Sequence, residues 1–177
     1  IAAGLNISSF EALLGQKTPI IRAMPNTPAE IGLGITAQIA NENVSKDAFE
    51  VAGKLLSAIG EVVSLNSEDQ MDAVTGLSGS GPAYVFYLID ALAVAGRGQG
   101  LDKELAMKLA KMTVLGAGKL AASSSVVPSD LRVNVTSPNG TTEAGLNILM
   151  DNENGLGPLI EKTVAAATAR SKELANG

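Results

Sequence analysis

Pro82-Ala83-Tyr84-Val85-Phe86-Tyr87-Leu88-Ile89-Asp90-Ala91-Leu92-Ala93-Val94-Ala95 is the stretch that decides the fold. Proline suits the first helical position, because its φ is already helical and its missing N–H would have had no partner there. The pattern predicts a long helix over Ala83 to Ala95, interrupted only by Asp90. A helix that is apolar nearly all round is either buried on every side or shared between subunits. The run is too short to span a bilayer, and no other stretch reads as long enough. It lacks an evident polar face, so an intertwined homodimer is expected.

Outward from this helix the chain shows two textures. Toward the carboxyl end it is helical. Gly100 separates the long helix from a second one, Lys103 to Ala122, in which Gly116-Ala117-Gly118 lets another backbone come close. Pro128 to Val135 is a short helix or turn, Glu143 to Met150 a further helix, and Pro158 starts the last. Upstream, Ser67-Glu68-Asp69-Gln70 is a capping box opening a helix to about Gly76, and Leu77 to Gly81 is expected to break the helical run. Before Asn66, strands and helices alternate. Thr18 to Met24, Gly34 to Ala40 and Glu61 to Leu65 read as strands, and Ile1 to Gly4 as the tail of another. Ser8 to Gly15 and Ser45 to Ile59 read as helices, the first opened by a capping box at Ser8-Ser9-Phe10-Glu11. Such alternation suggests the end of a parallel α/β sheet. The expected fold class is mainly α, a helical dimerisation domain (67–177) preceded by the last β/α units of an open sheet (1–66).

Between the later helices lies Val135-Thr136-Ser137-Pro138-Asn139-Gly140-Thr141-Thr142. A loop feeding a helix start leaves several backbone N–H groups without intrahelical partners. Together with the positive end of the helix dipole they make a seat for a small carboxylate. An ordinary Thr-capped loop would carry the same residues, and spacing alone does not separate the two. Glu143 in the first turn would repel a bound carboxylate and is expected to point away into solvent.

Composition removes several chemistries. With no Cys there is no disulfide, thiolate nucleophile or Cys–metal site. With no His the usual general base and transition-metal ligand are missing, so Ser-His-Asp and familiar zinc hydrolysis are excluded and no metal is expected. Aromatics are only 3%, so the core must be aliphatic and close-packed. A net charge of −5 without a basic cluster argues against nucleic acid. No basic amphipathic helix or charged leader stands out, so no membrane partner is expected and the cytoplasm is the expected location. Chemistry is left to carboxylates, hydroxyls, Lys, backbone dipoles or a borrowed cofactor, and hydride transfer from a nicotinamide fits. Two apparent phosphate loops fail. Gly79-Ser80-Gly81 has Tyr84 where a third glycine belongs, and Gly118-Lys119 lacks both its first Gly and a following Ser or Thr.

Three motifs, Ala23-Met24-Pro25-Asn26-Thr27-Pro28, Thr75-Gly76-Leu77-Ser78-Gly79-Ser80-Gly81-Pro82-Ala83-Tyr84 and Val135 to Thr142, occur in that order. In this register the chain resembles Δ1-pyrroline-5-carboxylate reductase from Ile1 to Leu174. Pro128, Leu131, Gly145 and Leu149 extend the third motif's likeness. The resemblance implies reduction of a cyclic imine, 1-pyrroline-5-carboxylate, to L-proline by NADPH or NADH. It implies that Thr141 and Thr142 bind the substrate carboxylate through their amides, that the Thr142 hydroxyl bonds the ring nitrogen as the catalytic contact, and that Asn134 and Ser137 shape the pocket. Glu68 matches a position near substrate, where its charge would favour a cationic imine; it is equally readable as a solvated acid in a capped first turn. Ile1, Ala2, Ala3, Met24, Pro25 and Asn26 are implied to lie beside the cofactor. The place of Met24 to Asn26 after a strand agrees with the ligand crevice of open α/β sheets, although Asn26 between prolines is also a plain rigid turn.

Family members carry a Rossmann domain whose first strand and glycine loop are missing here, so weak NADPH binding and little activity are expected of this polypeptide alone. Asn139 stands where the family usually has Gly, and tolerates a left-handed backbone; Val133 stands where Asp is common. The family also allows rings of dimers. The rivals are a non-catalytic dimerisation module and a related imine or β-hydroxyacid reductase. The latter needs a Lys on the long helix, and Ala83 to Ala95 has none.

Overall fold

The computed structural model describes residues 5–175. The first helix, α1 (Ile7–Leu14), is capped by Asn6 rather than by the Ser8 box. The Asn6 side-chain oxygen accepts the Ser9 N–H at 2.8 Å and both neighbouring serine hydroxyls, which leaves Glu11 to accept from the Asn41 amide instead. Gly15, at φ 100, ends the helix where expected.

Three strands form the described sheet, β1 (Ile21–Met24), β2 (Gly34–Ala40) and β3 (Gly60–Ser64), in the order β1-β2-β3. β2 and β3 pair in parallel with Gly34 opposite Gly60 and are joined through α2 (Lys46–Leu56), capped by Ser45. β1, however, runs antiparallel to β2, Ile21 facing Ala40 and Met24 facing Ala37. The expected all-parallel sheet is therefore corrected. Residues 25–33 hold only one short 3-10 turn, Thr27–Ile31, and a parallel connection needs a longer crossover. β2 is the central strand, with Thr36, Ala37 and Gln38 buried.

The capping box at Ser67 is present, with Ser67 Oγ accepting the Asp69 N–H and Gln70 Oε1 accepting the Ser67 N–H. It opens a 3-10 turn (Glu68–Gln70) and α3 (Met71–Val74). The break expected over Leu77 to Gly81 does not occur. A π-turn, Thr75–Gly79, carries the chain into α4 (Gly81–Gly98), and the Ser80 N–H donates to Thr75 O at 2.8 Å, five residues back. Pro82 supplies the reason. Inside a regular helix its ring would collide with the carbonyl four residues earlier, that of Ser78, and it has no N–H to offer it. A π-turn relieves such a conflict without ending the helix. Gly76 lets α8 (Leu156–Ala175) approach, since a Cβ there would lie 3.0 Å from Thr168 N and Val164 O.

The helical run thus extends over Glu68–Gly98, 31 residues, long and apolar enough by length and composition to cross a membrane; the expectation that no segment reaches that length is corrected. Its long helix is not buried within this chain. Phe86 is 61% and Tyr87 76% exposed, and of the described α4 residues only Ala93 is buried.

Next come α5 (Lys103–Ser123), capped by Asp102, α6 (Pro128–Asn134) and α7 (Thr141–Leu149). Two compact units emerge. One reaches Pro82 and takes in the chain from Lys162 onward; the other is Ala83–Glu161, so the spatial division falls inside α4 and α8.

Candidate functional site

The α6–α7 loop is built by short backbone closures. Pro128 starts α6, and its last turn folds over as the Thr136 N–H donates to Val133 O at 2.9 Å and the Thr136 hydroxyl to Arg132 O at 2.6 Å. The Gly140 N–H returns to Ser137 O at 3.0 Å. Two positions need unusual residues. Asn139 is left-handed, φ 59, which asparagine tolerates. At Gly140 a Cβ would meet Ser137 O at 2.9 Å, so a side chain there would push the turn open.

Gly140 caps α7 without any side-chain hydrogen bond, and the first intrahelical bond is Ala144 N–H to Gly140 O. Among the described residues, the amides of Thr141, Thr142 and Glu143 make no hydrogen bond. They are unused donors at the positive end of a helix, the condition under which an anion is held. Asn134, Ser137, Thr141 and Thr142 are all exposed. Glu143 is not turned to solvent, contrary to expectation. Its Oε2 accepts the Asn139 N–H at 2.7 Å, reaching back over the helix start as a capping-box glutamate does.

The other sequence-read residues lie in the first compact unit. Ile1, Ala2 and Ala3 are outside the described residues. Met24 ends β1, Pro25 and Asn26 follow it, and all three are half-buried. Because β1 is antiparallel to β2, its carboxyl end lies at the amino ends of β2 and β3, and the carboxyl-end crevice of a parallel sheet does not fall there on the described strands. The Asn26 amide is engaged at both ends: Nδ2 donates to Ser78 O at 3.2 Å, and Oδ1 accepts the Ile35 N–H at 3.0 Å. The first bond serves the carbonyl that Pro82 cannot serve.

Glu68 is neither free nor merely solvated. One oxygen accepts both Arg22 Nη1 at 2.7 Å and the Ile7 N–H at 2.8 Å, with the Arg22 and Glu68 side chains only 11% and 28% exposed. Its charge is already matched. The pair borders a polar cleft of about 490 Å³ with Asn6, Asp69, Asp72 and Lys172. No group of His, Cys, Asp or Glu able to hold a metal occurs among the described residues.

Sequence reading missed Arg22 and the roles of Asn26 and Glu143. Glu143 had a signal: a glutamate three residues after a helix cap, in Gly140-Thr141-Thr142-Glu143. Arg22 had none, since ion pairs between distant residues leave no local pattern.

Comparison with known proteins resolves the parentage. Residues 68–174 match the family model described as pyrroline-5-carboxylate reductase dimerisation. The chain belongs to the pyrroline-5-carboxylate reductase family. Pyrroline-5-carboxylate reductase of Pseudomonas aeruginosa is 50% identical over 99% of this chain and 63% of its own length; an enzyme of that name from Bacillus spizizenii is 41% identical over 99% of this chain and 58% of its own. A pyrroline-5-carboxylate reductase structure from Coxiella burnetii superposes with a TM-score of 0.93 at 42% identity, covering 98% of this chain and 64% of that one. A Plasmodium falciparum pyrroline carboxylate reductase, with NADP bound, gives 0.87 at 32% identity over 98% of this chain and 65% of that one. The chain therefore spans somewhat under two thirds of these reductases, and the mainly α architecture after a short sheet is theirs.

Proposed function

We propose that this chain is the substrate-holding and dimerising part of a pyrroline-5-carboxylate reductase, serving NAD(P)H-dependent reduction of 1-pyrroline-5-carboxylate to L-proline. The unpartnered amides of Thr141 and Thr142 carry this reading, because an imino acid must be gripped by its carboxylate while its ring stays free to react. The Thr142 hydroxyl would bond the ring nitrogen, and Asn134 and Ser137 would flank the ring. A protonated imine is already electrophilic, so the protein need orient it rather than supply a strong acid. Glu68 belongs to the same proposal as a residue near the substrate, with its charge already matched by Arg22.

The described residues fit the edge of a nicotinamide cofactor rather than the whole of one. NADPH or NADH would supply the hydride when bound, bordered by Met24, Pro25 and Asn26. Asn26 has its side-chain amide occupied, so it would border the cofactor chiefly through its backbone.

The exposed apolar surface of α4 and α5 supports a homodimer in which a second copy covers it, rather than a membrane-spanning role for the Glu68–Gly98 run. Rings of dimers and the cytoplasmic location belong to the same proposal, as does a functional boundary near residue 66; the family match beginning at residue 68 supports the last of these. The test joins the amino-terminal part of the Pseudomonas aeruginosa relative ahead of Ile1 and follows imine-dependent NADPH oxidation. Activity in the joined protein and little in the chain alone is expected. No activity in a folded, dimeric joined protein would favour a non-catalytic dimerisation module, and micromolar NADPH affinity of the chain alone would overturn the weak-binding expectation.

A further inference from the structure

We propose that Glu143 is a positioning and selectivity residue of the α7 carboxylate seat, an inference that rests on the reading above. Two observations carry it. The Glu143 carboxylate accepts the Asn139 N–H at 2.7 Å, across a loop whose Asn139 is left-handed and whose Gly140 has no room for a Cβ. The next three amides, those of Thr141, Thr142 and Glu143, stay unpartnered. Glu143 thus ties down the amide just outside the helix and leaves those just inside it for a ligand.

The same carboxylate places a full negative charge against a helix terminus worth about half a positive one. A bare anion entering the seat meets little net attraction. A zwitterion does better, because the cationic nitrogen beside its carboxylate is drawn to Glu143 while its acid group takes the amides. The seat thereby discriminates imino and amino acids from simple carboxylates of the same shape, a selectivity built from a repulsive element as much as from an attractive one.

The test titrates the 15N-labelled full chain with L-proline and, separately, with cyclopentanecarboxylate, which keeps the ring and acid group but lacks the nitrogen. The readout is the amide shifts of Thr141 and Thr142. In the unaltered chain both ligands move these amides, L-proline binding the more tightly. Glu143→Gln keeps an acceptor for Asn139 and removes the charge; it should narrow the ratio of dissociation constants about threefold, chiefly by tightening cyclopentanecarboxylate, as expected of a partly screened charge. Glu143→Ala should narrow the ratio similarly and also speed hydrogen exchange at the Asn139 amide about tenfold. The amide spectrum reports folding in each variant, and Glu143→Gln carries the selectivity result on its own. An unchanged ratio in Glu143→Gln overturns selectivity, and unchanged Asn139 exchange in Glu143→Ala overturns positioning. If neither ligand moves Thr141 or Thr142 in the unaltered chain, the seat itself is wrong and this inference falls with it.

Discussion

The cluster at the end of β1 and the loop before α7 are both rich in polar residues, yet they spend them in opposite ways. At β1, Arg22, Asn26 and Glu68 are half-buried and hydrogen-bonded to other groups of the protein. At α7, the side chains are exposed and the backbone amides are left open. A polar side chain whose partners are all internal holds architecture. Donors aimed outward from a helix start, in a loop whose own bonds are complete, are available to a ligand. The two regions also fail differently: damage to the first should cost stability, damage to the second should cost binding.

The largest effect is expected where the first region is most tightly packed. Gly76→Ala puts a methyl against the backbone of α8 at Thr168 and Val164, and should destabilise by about 3 kcal/mol in urea unfolding, in the range for overpacked contacts. Asn26→Leu leaves Ser78 O and the Ile35 N–H without their partner and should cost about 2 kcal/mol; Asn26→Asp keeps the acceptor and should cost less. Equal losses from the two would show that the Ser78 bond is the important one. In the second region Thr142→Val should change stability by no more than about 0.5 kcal/mol while weakening L-proline about tenfold by calorimetry, a loss of roughly 1.4 kcal/mol, as for one hydrogen bond to a charged group. A matching loss of stability would erase the contrast.

The smallest effect concerns Asp151, in the turn after α7. The N–H groups of Asn154 and Glu153, at 2.6 and 3.0 Å, hold its carboxyl below the ordinary value of 3.8. A depressed folded-state value means the contribution is complete above 3.8 and is lost as pH falls through the lower folded value. Thermal melts of the chain and of Asp151→Asn should therefore differ by a constant amount from neutral pH down to about 4, and converge only below that.

What the sequence disclosed follows physical range. β2 and the close of α1 at Gly15 were legible because alternation and a left-handed glycine are local signals. The π-turn was misread as a break because Gly and Pro announce a disruption without saying whether a helix absorbs it. β1 was read as a strand, but its direction depends on pairing with β2, which no local pattern encodes. Of the proposed site, Thr141 and Thr142 were legible as candidates through loop-then-helix chemistry and the family motif. Arg22 and the bond from Asn26 to Ser78 were invisible because the partners lie 46 and 52 residues away. Glu143 was legible and misjudged: electrostatic repulsion from a future ligand was weighed above the hydrogen bond its own loop offers.

A crystal structure of the dimer soaked with L-proline tests the central claim most directly. The account predicts the carboxylate within hydrogen-bond distance of the Thr141 and Thr142 amides, with the ring nitrogen toward the Thr142 hydroxyl. Proline bound elsewhere while those amides face solvent, or a neighbouring side chain seated on them, would contradict it.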